Sequence, residues 1–296
     1  MAKNKKARLI EDENGRKLCV VASVNDEHDL TVDSRSKKPI GIKEKEDIIY
    51  MQEINRIEFS TKKKNEKNIL SYFAPNNVGV LLSISNRALM NAKNIYKEKI
   101  DPNMYNHTDI LAGNTGNELM EMTLVVYEFI EAIQTSIVFG YTAVEAFTNL
   151  SIHSDYQYLN EVKGKGITEV YDKKAIERWL SLDVKISNIL VDIYECKSIK
   201  KEKIWSRFKE FEQCRNQIIH QKSIDANSFY EKYFNDEIFE LCDIPEKIIK
   251  FFFESSHKNG TDNLLWPLVV SSENTIPIIS DPTAHIDECV GVVSDY

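Results

Sequence analysis

The stretch from Glu118 to about Ile152 keeps a helical pattern almost without interruption, and it limits the folds open to this chain more than any other feature. A helix that long spans a bundle and must bury an apolar stripe against other helices. Gly140 is the one residue in it expected to break the run. Further amphipathic segments surround it. Val80, Ile84, Leu89 and Ile95 mark one that ends near Asp101-Pro102, and Ile176, Leu180, Val184, Ile186, Ile189 and Ile193 mark another across Lys173 to Tyr194. A third runs from Lys200 to about Gln221, and Ser228 to Ser256 supplies one or two more, with Pro245 as an interruption. Four or more helices with short connections imply a helical bundle.

The N-terminal part reads differently. Leu18-Cys19-Val20-Val21-Ala22 follows an Asn14-Gly15 hairpin signal. Leu30-Thr31-Val32, Ile48-Ile49-Tyr50 and Arg56 to Phe59 are short β-forming runs that complete a small sheet. The polar stretch Thr61 to Lys67 reads as a linker, and Gly164-Lys165-Gly166 as a turn. The apolar tail Leu264 to Ile279, with Pro267 and Pro277, is expected to add a strand or strap across the bundle. The expected organisation is a β-rich region and linker over 1–76, a helical bundle over 77–258 and a tail over 259–296.

Composition removes several classes. A net charge of −8 argues against a protein that coats nucleic acid through a basic surface. The locally basic run Lys197, Lys200, Lys201, Lys203, Arg207 and Lys209, interleaved with Trp205 and Phe208, is either a solvated helix face or an RNA contact. The five cysteines are odd in number and lack Cys-x-x-Cys spacing, which fits thiols in a reducing cytoplasm. No His set has metal-ligand spacing, no Gly-rich phosphate loop is present, and neither an export signal nor a membrane span is evident. The expectation is a soluble cytoplasmic protein without metal or cofactor.

The chemistry concentrates at Arg215-Asn216-Gln217-Ile218-Ile219-His220. On the helical wheel Ile204, Phe208, Phe211, Ile218 and Ile219 form an apolar stripe with Arg215 near its centre. A guanidinium taken out of water costs several kcal/mol unless it is paired. Arg215 must therefore meet a carboxylate, line a wet cleft or face another subunit. Glu145 and Asn149, four apart on the long helix, offer it a partner.

An early Glu-Ala-Phe-x-Asn helix followed by a helix carrying Arg-Asn-x-x-x-His resembles the HEPN superfamily of helical-bundle domains, over roughly residues 117 to 257. Many members of that family are metal-independent ribonucleases of toxin–antitoxin and anti-phage systems. The resemblance implies a mainly α, HEPN-like bundle in which Arg215, Asn216 and His220 occupy the catalytic motif and Glu145 a supporting acidic position. It further implies RNA as substrate, a homodimer, and room for an antitoxin or defence-system partner. His220 would move a proton and Arg215 would neutralise phosphate charge, with the 2′-hydroxyl of RNA as nucleophile. Two other readings compete. One is a catalytically inactive HEPN-like module that binds a nucleotide or a protein, and the other is a helical scaffold whose function lies in the N-terminal region.

Overall fold

The computed structural model describes residues 8–11, 17–20, 33–37, 40–44, 47–51, 54–60, 67–105, 107, 116–162, 164, 166–220, 226–258 and 278–279. The protein is mainly helical and divides into two compact units, Met1–Val80 with Asp262–Tyr296, and Leu81–Thr261.

The first unit holds short strands. β1 (Arg8–Glu11) and β2 (Lys17–Val20) pair antiparallel with Glu11 opposite Lys17, a hairpin whose Asn14-Gly15 signal lies outside the described residues, as does Leu30-Thr31-Val32. β3 (Ile40–Glu44) and β4 (Asp47–Met51) form a second hairpin. β5 (Ile54–Ser60) and β6 (Lys67–Phe73) form a third, with Ser60 opposite Lys67. The polar stretch read as a linker, from Thr61 to Glu66, lies outside the described residues, and its last residue, Lys67, opens β6. The tail supplies a strand: β9 (Ile278–Ile279) pairs parallel with β3 and adds to the small sheet of this unit, while the rest of the apolar stretch from Leu264 lies outside the described residues.

In the second unit α1 (Asn77–Ile95, its first turn in the other unit) runs into a π-helical turn, Tyr96–Ile100, and stops at Asp101-Pro102. α2 (Gly116–Leu150) is one unbroken helix of 35 residues. The hairpin β7 (Gln157–Val162) and β8 (Ile167–Asp172) follows, with Gly164 and Gly166 at positive φ in its turn. α3 (Lys173–Trp179) is capped by the Asp172 carboxylate, which accepts from the Ala175 N–H. After a break at Leu180-Ser181, α4 comprises Leu182–Val184, a π-helical turn Lys185–Ile189 and Leu190–Ile193. The motif helix α5 (Lys203–Ile219) is followed by α6 (Ala226–Glu231), α7 (Glu237–Cys242) and α8 (Ile244–Lys258). Pro245 lies in the first turn of α8, where its missing N–H costs no helical bond.

α2 is the central helix and packs on α5, α7 and α8. Phe129, Ile133, Ile137 and Phe147 of α2 bury against a core that includes Phe208, Phe211, Ile248 and Phe252. A satellite core joins Ile152, Ile176 and Ile189, with Tyr158 and Tyr171 of the hairpin packed on it.

Gly140 is not a break. A Cβ there would stand 2.7 Å from Pro245 Cγ, 3.0 Å from Ser85 Oγ and 3.4 Å from Phe211 Cζ, so three helices approach α2 because the side chain is missing. Ser85 marks the same crossing, its hydroxyl donating to the Ser136 carbonyl at 2.8 Å. Gly140→Val is expected to destabilise the bundle by about 1–3 kcal/mol through overpacking. Urea unfolding measures this, and an unchanged midpoint would mean that the three helices can move apart freely.

Candidate functional site

α5 carries the motif on its last two turns. Phe208, Phe211 and Cys214 are its buried residues, so the stripe that faces the core is centred on them and Arg215 lies on its flank, half-buried. Ile219, expected within the stripe, is 48% exposed. Asn216 and His220 are exposed, and His220 is the residue that closes the helix, its N–H donating to the Asn216 carbonyl at 2.9 Å.

The expected Glu145–Arg215 ion pair does not form. Among the described residues no carboxylate pairs with Arg215. Its guanidinium donates to the Asn216 side-chain oxygen at 3.0 Å and lies over the Tyr141 ring, 4.6 Å from the centroid. Stacking on an aromatic face offsets part of the desolvation cost while leaving the remaining N–H groups of the fork directed elsewhere.

Tyr141 is the residue that sequence reasoning missed. It is buried, stacked on Phe208 and Phe211 at centroid distances of 6.4 and 6.5 Å, and its hydroxyl donates to Glu212 at 3.2 Å. The sequence places it within the long helical pattern, where an aromatic residue reads as ordinary core. The spacing signal was nevertheless there, because Tyr141, Glu145 and Asn149 recur every four residues and share one face of α2.

Glu145 and Asn149 turn to a different cation. Lys185, at the start of the π-helical turn of α4, is only 3% exposed. Its ammonium donates to Asn149 Oδ1 and to the Glu177 carbonyl, each at 3.0 Å. Burial lowers its affinity for a proton, while the nearby Glu145 and Glu177 carboxylates oppose that shift. A lysine inside an apolar helical pattern reads as a solvated residue, which is why the sequence hid it. An extra residue in a helical turn rotates the following register, and here Lys185, Ile186 and Ser187 are all buried in succession.

These groups form a polar belt around three helices. Asp183 of α4 pairs with Lys209 of α5 at 2.9 Å, Lys209 pairs with Glu212, and Glu212 receives the Tyr141 hydroxyl. The charge of Glu145 then acts on both Tyr141 and Lys185. Lys200 adds a second cation to Asp183 at 3.7 Å, and both Lys200 and Lys209 stand 5.9 Å from the Trp205 ring. Much of the basic run is thus neutralised locally. Lys197 pairs with Glu202 and Arg207 with Glu210, so these are largely surface ion pairs of small energetic value.

The arrangement gives a half-exposed arginine on a rigid aromatic shelf, with an amide and an imidazole on the same helix end. No grouping of His, Cys, Asp and Glu among the described residues can hold a metal ion. Burial, reinforced by Glu212, holds the Tyr141 phenol well above its ordinary value of 10.0. Because the folded value is the higher one, the stabilisation that this implies is complete below pH 10 and declines as pH rises through the folded value. Tyr141→Phe should therefore lose up to about 1 kcal/mol near neutral pH, from the hydroxyl bond, and should lose less stability than the wild type on going to about pH 11. Urea midpoints for the two proteins across this range measure the difference. Parallel pH profiles would show that the phenol does not titrate on unfolding.

Comparison of the chain with protein-family models, with curated proteins and with solved structures finds no match, so the arrangement of its own residues is what bears on its function.

Proposed function

We propose that the protein is a metal-independent endoribonuclease of the HEPN type, acting as a toxin or anti-phage effector. The observation that carries this reading is Arg215, half-buried without a carboxylate partner among the described residues, fixed on Tyr141 beside Asn216, which lies one turn before the exposed His220. A structural arginine is normally paired. An arginine held by a ring and an amide keeps its charge available for an anion, and a forked donor matches phosphate oxygens.

In the proposed reaction a base removes the proton of the 2′-hydroxyl, and that oxygen attacks the adjacent phosphorus. The bond to the 5′-oxygen breaks, and an acid returns a proton to it. Arg215 neutralises the charge on the non-bridging oxygens as the bond order changes, and Asn216 orients the guanidinium. His220 serves as base or acid. The step leaves a 2′,3′-cyclic phosphate and a 5′-hydroxyl, with no water consumed.

Each chain brings one such histidine, so base and acid both being imidazoles requires two chains. An isologous dimer that places the α5 ends together supplies the second. The exposed Ile219 beside Asn216, Gln217 and His220 supports a contact there, since an apolar residue amid polar donors suits an interface core.

Labelled RNA incubated with the pure protein in excess chelator tests the reading. Fragmentation is expected. RNA that is retained on the protein but stays intact would instead favour an inactive binding module, and RNA neither bound nor cut would remove RNA from the account. Light scattering at micromolar concentration should give the mass of two chains.

A further inference from the structure

The longest helix leaves its first turns outside the core. The first buried residue of α2 is Phe129, so nothing from Gly116 to Glu128 is fully buried. Met120, Leu124 and Tyr127 recur at i, i+4 and i+7 and are 62%, 56% and 64% exposed. At about 100° per residue this stripe lies roughly opposite the one formed by Phe129, Ala132, Ile133 and Ser136, which faces the bundle. It is therefore not the edge of the core but a second apolar face on the outward side.

The charge around that face is of one sign. Glu121, Glu128 and Glu131, on or beside the stripe by the same helical count, are exposed, none has an ion-pair partner among the described residues, and α2 contains no lysine, arginine or histidine. Apolar anchors on one helix with a rim of carboxylates select a complementary surface, apolar at its centre and basic at its edge. We propose that the outward face of α2 is a docking surface for a basic amphipathic helix of a partner protein. Met120, Leu124 and Tyr127 would fill the apolar centre, and Glu121, Glu128 and Glu131 would set orientation and the rate of encounter. The proposal does not depend on the ribonuclease reading.

The rival occupants fit the charge less well. A second copy would oppose glutamates to glutamates across the same stripe, which destabilises an isologous contact. α2 is long and apolar enough to cross a bilayer by length and composition, but carboxylates lining the outward face are repelled by anionic lipid and are costly in hydrocarbon.

The test uses the full chain and a designed helical peptide of leucine and lysine, with leucines at i, i+3, i+4 and i+7 and lysines on the flanks. Fluorescence anisotropy should show binding that weakens with salt. It should weaken at least about 30-fold for Leu124→Ser/Tyr127→Ser and about tenfold for Glu121→Lys/Glu128→Lys. The same peptide with glutamate in place of lysine should not bind. Circular dichroism establishes that these outward substitutions leave the fold intact. Absence of binding, or binding indifferent to all four substitutions, would overturn the proposal. So would a wild-type dimer that the Leu124→Ser/Tyr127→Ser variant dissociates, which assigns the face to a second copy. Binding to phosphatidylcholine vesicles that disappears in that variant would assign it to lipid and overturn the proposal as well.

Discussion

His220→Ala is expected to reduce RNA cleavage by roughly 10²–10⁴-fold, the range that one positioned proton-transfer group contributes. Stability should change by no more than about 0.5 kcal/mol. The asymmetry follows from position. The His220 side chain is exposed at the closing residue of α5, and its only helical bond is made by the backbone N–H, which alanine keeps. Rates on labelled RNA, set beside thermal melting of the same preparations, read both quantities. Full activity in the variant would reject the proton-transfer role. A large drop in melting temperature would instead make His220 a structural cap.

The second large effect concerns Arg215 and separates it from Glu145. Arg215→Ala should cost about 10²–10³-fold in cleavage, as expected for the removal of one group that stabilises transition-state charge. It should cost only about 0.5–1 kcal/mol in stability, through the loss of its contact with Tyr141. Glu145 acts on Lys185 in place of Arg215, so the two alanine substitutions should add within about 0.5 kcal/mol in a stability cycle. Glu145 and Lys185 should not add fully, because the half-buried Glu145 carboxylate favours the charged form of the buried Lys185 ammonium, which loses that compensation when Glu145 is removed. Urea unfolding of the single and double variants decides the pairing. Coupling of several kcal/mol between Arg215 and Glu145 would restore the direct ion pair and contradict the geometry described above.

The division between what the sequence revealed and what it concealed has physical causes. α2 and α5 were legible because their apolar residues recur with the helical period over many turns, and only the placement of single residues went astray. Arg215 was put at the centre of the stripe because the wheel counted Ile218 and Ile219 with the core. The bundle instead leans toward Phe208, Phe211 and Cys214 and leaves Ile219 in solvent. Which side of an amphipathic helix is pressed closest depends on its neighbours, and here the neighbours are the aromatic rings of α2.

The β7–β8 hairpin was missed although its turn was recognised. Leu159 and Val170 face each other on the outward surface, whereas Tyr158 and Tyr171 carry the packing, so the apolar alternation points away from the core. Lys185 was missed for a related reason. Its partners are a side-chain amide on α2 and a carbonyl on α3, and such a satisfied buried cation depends on tertiary proximity that no local pattern records. The Arg-Asn-x-x-x-His element was visible as residues, but that Arg215 has no carboxylate ion-pair partner among the described residues, a feature the proposed chemistry uses, became visible only when the helices were packed.

The central claim is that the 2′-hydroxyl of RNA is the nucleophile and that protein side chains alone assist it. The most direct test is to identify the ends of fragments made by the wild-type protein in excess chelator, with a substrate carrying 2′-O-methyl groups throughout as control. The account predicts 2′,3′-cyclic phosphate and 5′-hydroxyl ends and no cleavage of the methylated strand. Fragments ending in 3′-hydroxyl and 5′-phosphate, or cleavage of the methylated strand, would contradict it.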